Sequence, residues 1–257
     1  SLITSRQNPF IKHIVRLLDS ARERRKSAEF VLEGIHLAQA CRDAGWPVSQ
    51  LLVAESALHH PEISQLLGAW MDFLPVVLVD ALFAQIFDIQ PSVGIALLLP
   101  MPEKTPGGAS DFMLLLDDVQ DPGNVGTIMR TAVAAGVSQI FLSAGCADVW
   151  SPKVLRAAMG AHFMVNISTD VDLAVVIRSH SNRFFVTDLT ATRSLYQQDL
   201  RGPVAMIFGN EGAGVHAELR ALATEKIIIP MPGRIESLNV AAAAASCLFE
   251  CVRQRGQ

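Results

Sequence analysis

Phe112-Met-Leu-Leu-Leu-Asp117-Asp-Val-Gln-Asp-Pro-Gly-Asn-Val-Gly-Thr-Ile-Met-Arg130-Thr-Ala-Val-Ala-Ala-Gly-Val137 passes from an apolar run, through a Pro/Gly turn, into the polar start of a helix. The run before Asp117 fits a strand buried on both faces, as in a parallel sheet, and Thr127 to Ala135 continues as a helix closed by Gly136. A strand, a glycine turn and a helix start in that order present backbone N–H groups and side chains to a ligand. Asn124 and Arg130 are then polar groups at the mouth of a sheet.

The alternation continues outward. Apolar runs at 112–116, 138–142, 163–167, 183–187, 203–208 and 226–230 are separated by segments of helical composition. This predicts an α/β fold with a mostly parallel sheet covered by helices on both faces, and a last, alanine-rich helix beginning near Ser237. Upstream, Phe30 to Gly34, Leu51 to Ala54, Val76 to Val79 and Ile95 to Leu99 read as strands, with a helix from Ile35 to Ala44, forming a smaller α/β unit. Pro100 to Ser110 is rich in Pro and Gly and has no hydrophobic period. The expected organisation is an N-terminal domain over 1–99, a linker over 100–110 and a larger domain over 111–257.

Half of the residues are hydrophobic and the mean hydropathy is +0.32, which argues for substantial cores and against disorder. No apolar run reaches the roughly 20 residues needed to span a bilayer, and the opening residues lack a signal pattern, so no membrane partner and a cytoplasmic location are expected. Cys41, Cys146, Cys247 and Cys251 show no Cys-x-x-Cys spacing; they are expected to be buried thiols, with neither disulfide nor metal. The net charge of −4 is unevenly spread, because residues 1–30 hold seven Lys/Arg against three acids. Arg6, Lys12, Arg22, Arg24, Arg25 and Lys26 are candidates for neutralising phosphates; a solvated helix face is the competing explanation.

Three loops follow three of the predicted strands of the larger domain. They are Gln120 to Gly126 with Arg130 beyond it, Phe208-Gly-Asn-Glu-Gly-Ala-Gly214, and Ile229-Pro-Met-Pro-Gly-Arg-Ile-Glu-Ser-Leu-Asn239. In a parallel sheet all three open at the carboxyl edge, where ligands bind. Glycine ends strands for steric reasons alone, but Asn124, Arg130, Glu211, Ser237 and Asn239 exceed what a turn needs. The phosphate fingerprints Gly-x-Gly-x-x-Gly and Gly-x4-Gly-Lys-Ser/Thr are both absent, which weakens a dinucleotide or P-loop mechanism. The prolines at 230 and 232 remove N–H donors and leave carbonyls, while Ile229, Met231 and Leu238 supply aliphatic surface. Such a pocket suits an adenine ring and a thioether better than a triphosphate.

With these loops in this order and spacing, the chain closely resembles the SpoU (TrmH) family of S-adenosylmethionine-dependent RNA ribose 2′-O-methyltransferases, over roughly residues 112 to 254. Asp121-Pro-Gly-Asn124 through Arg130, Gly209 to Gly214, and Ile229-Pro-Met231 through Ser237-Leu-Asn239 are similar to the family's three motifs. Ser5 to Pro9 and Phe30 to Gly34 are similar to the substrate-binding domain of two-domain members, whose fold is like that of RNA-binding ribosomal proteins. The resemblance implies a deep C-terminal trefoil knot, an exception to ordinary chain topology. It also implies S-adenosylmethionine bound by Gly209, Ile229, Met231 and Leu238, and a homodimer whose second subunit helps complete the RNA site. Ribosomal RNA is favoured over transfer RNA; a non-catalytic RNA-binding or assembly factor is the alternative from another class.

Methyl transfer is an in-line displacement, so the protein must place a ribose hydroxyl behind the methyl group and ease loss of its proton. No histidine or cysteine lies within the three loops, and the resemblance assigns the hydroxyl to Arg130. A guanidinium stays protonated, so holding a phosphate and stabilising alkoxide charge is the preferred role. Asn124 is expected to orient Arg130, contact the ribose or cap a helix. Glu211 is expected to pair with Arg130 or Asn239, or to act as a capping acid. Ser237 suits a cap, whereas Asn239, expected inside the helix, has less structural reason to be there. Arg156, in Ser151-Pro-Lys-Val-Leu-Arg156, is a further candidate RNA contact, with a surface helix as the alternative.

Overall fold

The computed structural model describes residues 2–71, 74–103 and 110–256. Two compact units are present, one of residues 1–103 with 148–163 and one of 104–147 with 164–257. The first unit is built on β1 (Leu2–Ile3), β2 (Glu29–Glu33), β3 (Gln50–Ala54), β4 (Val76–Leu78) and β5 (Ile95–Pro100). Its sheet order is β1-β4-β3-β5-β2, with β5 antiparallel to both neighbours and the other pairs parallel. Helices α1 (Pro9–Asp19), α2 (Ala21–Ser27), α3 (Ile35–Asp43), α4 (Pro61–Ala69) and α5 (Asp80–Ile86) complete the alternation. Ile11, Ile14 and Leu17, at helical spacing along α1, are fully buried.

The second unit runs β6 (Phe112–Asp117), α6 (Pro122–Ala134) and β7 (Gln139–Leu142) before the chain enters α7 (Pro152–Ala158) of the first unit. It then returns as β8 (Asn166–Ser168), α8 (Leu173–Ser179), β9 (Arg183–Thr187), β10 (Val204–Gly209), α9 (Ala217–Leu222), β11 (Glu225–Ile227) and α10 (Val240–Arg255). Its six strands are all parallel, in the order β11-β9-β10-β6-β7-β8. Met113, Leu115, Phe184, Val186, Ala205 and Ile207 pack against Leu173, Ile177 and Leu219 on one side, while α10 packs on α6 and β10. The expected continuously apolar strands therefore lie in a sheet flanked by helices.

Several boundaries differ from expectation. Residues 148–163 pack with the first unit: Trp150 meets the ring of Phe30 at 4.7 Å, Phe163 meets Trp46 at 5.2 Å, and Asp148 pairs with Arg24 at 2.6 Å. The apolar run at 163–167 therefore starts as a tight turn, Ala161–Phe163, and pairs as a strand only from Asn166. β11 stops at Ile227, short of the expected 230, where Pro230 cannot donate to a ladder. Of the expected linker, 104–109 lies outside the described residues. Cys247 and Cys251 are buried free thiols in α10, raised by desolvation.

Candidate active site

The helix after β6 begins at Pro122, five residues before the expected start at 127, because Asp121 caps it. Its carboxylate accepts the Asn124 N–H at 2.8 Å, and Pro122 occupies the first turn, where no N–H is needed. Asn124 is thereby relieved of capping, and its side-chain amide is free for other partners. Asn239 is the cap of α10, which starts at Val240 and not near Ser237: its Oδ1 accepts from Ala241 N at 2.8 Å and Ala242 N at 3.3 Å. The expectation that Asn239 lies within the helix is corrected, and Ser237 is not the residue that caps it.

These two amides and one carboxylate form a chain whose polarity is forced. Glu211 can only accept when ionised, so Asn124 turns Nδ2 towards it, at 3.0 Å. Asn124 Oδ1 is then left to accept from Asn239 Nδ2 at 3.0 Å, and Asn239 Oδ1 remains for the helix N–H groups. Glu211 also accepts from Asp121 N at 3.1 Å and Gln120 N at 3.3 Å. Burial pushes its pKa up, but the bonds from Asn124 and the backbone amides outweigh that and hold the carboxyl below its usual range. Glu211 is thus a charged brace between the first two loops, linked to the third through Asn124, and a poor proton acceptor near neutrality.

Beside this brace lies a cavity of about 430 Å³, within the 300–1,000 Å³ range usual for ligand pockets. Gly209, Ile229, Met231 and Leu238 all line it, together with Glu211 and Ser237. Gly209 admits no side chain, because a Cβ there would collide with the backbone of Gly214 and Val215. The turn above it is closed by Asn210, whose Oδ1 accepts from Gly212 N and Ala213 N at 2.9 Å and whose Nδ2 donates to Asp118 O. Aliphatic walls and carbonyls left by the prolines fit an adenosine and its sulfonium side chain. Missed in the sequence was the turn Thr187-Asp-Leu-Thr190 after β9, which lines the same cavity with Arg220. It follows a predicted strand and is polar, but it has no glycine. Asp188 accepts from Thr190 and pairs with Arg220 at 3.4 Å.

Arg130 does not join the brace within its own chain. It is exposed on α6, six residues and about 9 Å along the axis from Asn124, and no ion pair of its side chain occurs among the described residues. The expectation that Glu211 pairs with Arg130 or Asn239 is therefore corrected: the backbone N–H groups of Gln120 and Asp121 and the Asn124 amide take the carboxylate, and Asn239 reaches it only through Asn124. In the first unit, Arg6, Lys12, Arg22, Arg25 and Lys26 are exposed as expected. Arg24 is not, being 4% exposed, bonded to Asp148 and donating to the carbonyls of Leu17 and Leu18. It is a structural residue, removed from the RNA-contact set. Arg156 is engaged by Asp88 at 3.0 Å and Glu33 at 3.9 Å, so its charge is already compensated.

Residues 111–249 match the model of the SpoU rRNA Methylase family, and residues 8–86 match an MRM3-like substrate binding domain. The chain is 32% identical to the 23S rRNA guanosine 2′-O-methyltransferase RlmP of Bacillus subtilis, over 90% of this chain and 92% of that one. A crystal structure of an RNA 2′-O ribose methyltransferase superposes with a TM-score of 0.84 at 30% identity, covering 100% of both chains. That of the AdoMet-bound rRNA methyltransferase from Sinorhizobium meliloti gives 0.84 at 29% identity, covering 98% of this chain and 97% of that one. With residues 111–249 matching the family model and a relative 32% identical over nine-tenths of its length, this chain belongs to the SpoU rRNA methylase family.

Proposed function

We propose that the protein transfers a methyl group from S-adenosylmethionine to a ribose 2′-hydroxyl of ribosomal RNA. The observation that carries this is the cavity walled by Gly209, Ile229, Met231 and Leu238 next to the Asn239–Asn124–Glu211 brace. S-adenosylmethionine supplies an electrophilic methyl group when bound. The chain's own residues enclose the adenosine and exclude water, and the brace fixes the three loops relative to one another. Arg130, charged and without an ion-pair partner among the described residues, is suited to hold an RNA phosphate and stabilise negative charge at the 2′-oxygen. Arg6, Lys12, Arg22, Arg25 and Lys26 supply the phosphate contacts of the substrate-binding domain, whose fold we take to be that of RNA-binding ribosomal proteins.

The same reading includes a homodimer, in which a second copy completes the RNA site around an Arg130 its own loops do not engage. Half-exposed Phe249 on α10 and exposed Ile235 and Leu238 in the third loop support an apolar contact there. Sedimentation as a monomer at micromolar concentration would remove it. It also includes the trefoil knot, supported by residues 193–200, which bond both to Ile228 and to Gln254 of the last helix. An experimental trace through 188–202 and 228–240 decides that point. Four free thiols agree with a cytoplasmic setting.

Calorimetric titration with S-adenosylmethionine, followed by transfer of labelled methyl to ribosomal RNA, tests the function. Binding followed by a 2′-O-methylated product is expected. Binding without transfer would favour a non-catalytic assembly factor, and absence of binding would sink the proposal.

A further inference from the structure

The glycine turn that walls the cavity is tied at its front by Glu211 and Asn210. Its rear foot is held by a buried carboxylate beside the core packing of Val215. Asp117, the last residue of β6, pairs in register with Gly209 at one foot of the turn. Its side chain, 5% exposed, grips the other foot through Oδ2, which lies 2.8 Å from both the backbone N and the Nδ1 of His216. His216 occupies the cap position of α9 but makes no side-chain capping bond, so its ring is committed to Asp117. The side chain is otherwise 67% exposed, and its neighbour Val215 lines the cavity.

We propose that Asp117 and His216 are positioning residues forming a charge-assisted clamp that seats the glycine turn against S-adenosylmethionine, so that cofactor affinity follows the protonation of His216. The inference rests on the assignment of the cavity to that cofactor. Neither residue touches the transferred methyl group; both act through the turn. Asp117 faces the imidazole directly and Asp118 adds to its field, while Glu218 of α9 is occupied by Arg178 of α8. The hydrogen bond and charge of Asp117 raise the His216 pKa above its ordinary 6.5. The charged clamp is therefore complete below the ordinary histidine range and weakens as pH rises through the raised value. A neutral ring still donates from Nδ1, but without the charge assistance.

The test is calorimetric titration of the full chain with S-adenosylmethionine at about pH 6 and about pH 9, for wild type, His216→Ala and His216→Asn. The cofactor's own α-amino group titrates near pH 8, so the readout is the ratio of variant to wild-type affinity and not the wild-type slope. His216→Ala is expected to bind about fivefold more weakly at the lower pH, with the gap narrowing at the higher one. His216→Asn, which offers an amide donor without charge, is expected to be intermediate at the lower pH and to match wild type at the higher. Unchanged affinity, or a loss that is the same at both pH values, would overturn the clamp and leave the cofactor assignment standing. No binding by the wild-type chain at either pH would overturn both.

Discussion

Asn124 illustrates how a single side chain acquires its role from its neighbours. Because Asp121 takes the cap and Glu211 can only accept, the Asn124 amide has one permitted orientation, which in turn dictates that of Asn239. Arg130 is the opposite case, a charged group with no ion pair among the described residues. Arg130→Ala is expected to lower methyl transfer by about 100-fold or more, the usual cost of losing one group that stabilises transition-state charge. S-adenosylmethionine affinity should stay within about twofold, since Arg130 is not a wall of the cavity. Single-turnover kinetics and calorimetry check the two halves; near-normal turnover would remove Arg130 from the mechanism.

At the scale of elements, α10 joins stability to the site through its cap. Asn239→Ala removes that cap and the bond to Asn124, and should cost about 1–2 kcal/mol in urea unfolding. Asn239→Asp separates the two roles: it keeps a capping oxygen but cannot donate to Asn124. Its stability should stay close to wild type while turnover falls, and a variant with full turnover would show that the brace is not needed. The elements themselves were largely legible in the sequence, since the strands of the second unit are continuous apolar runs. Starts and ends were less so. The early start of α6 and late start of α10 were set by which polar residue won the cap, and several adjacent residues were chemically eligible at each.

For the whole molecule, charge placement matters more than net charge. Six of the seven Lys/Arg in residues 1–30 are exposed, and Arg24 is buried against Asp148. The combined Arg22, Arg25 and Lys26 to alanine variant should weaken RNA binding and flatten its salt dependence, by about 0.7–0.9 in log–log slope for each phosphate no longer neutralised. Filter binding across a salt series measures this, and an unaltered slope would return these residues to a solvated face. Arg24→Ala should instead destabilise the fold by about 3 kcal/mol, because it leaves Asp148 and two carbonyls without their partner. Chemical denaturation distinguishes that destabilisation from a binding defect.

Sequence by itself determined the parallel α/β architecture of the second unit, its three polar loops and the aliphatic surface of Ile229, Met231 and Leu238, because hydrophobic period and turn chemistry are local and are written in consecutive residues; Gly209 joined that set through the family resemblance. Tertiary structure alone decided that Arg24 is buried, that 148–163 belongs to the first unit, that Asp188 and Arg220 border the cavity, and that Asn239 bonds Asn124. Each of these depends on residues far apart along the chain meeting in space, and short-range patterning carries no record of such meetings. The segment from Phe112 to Val137 shows both: its strand, turn and helix were readable in order, whereas the surroundings of Asp117, Asn124 and Arg130 were not.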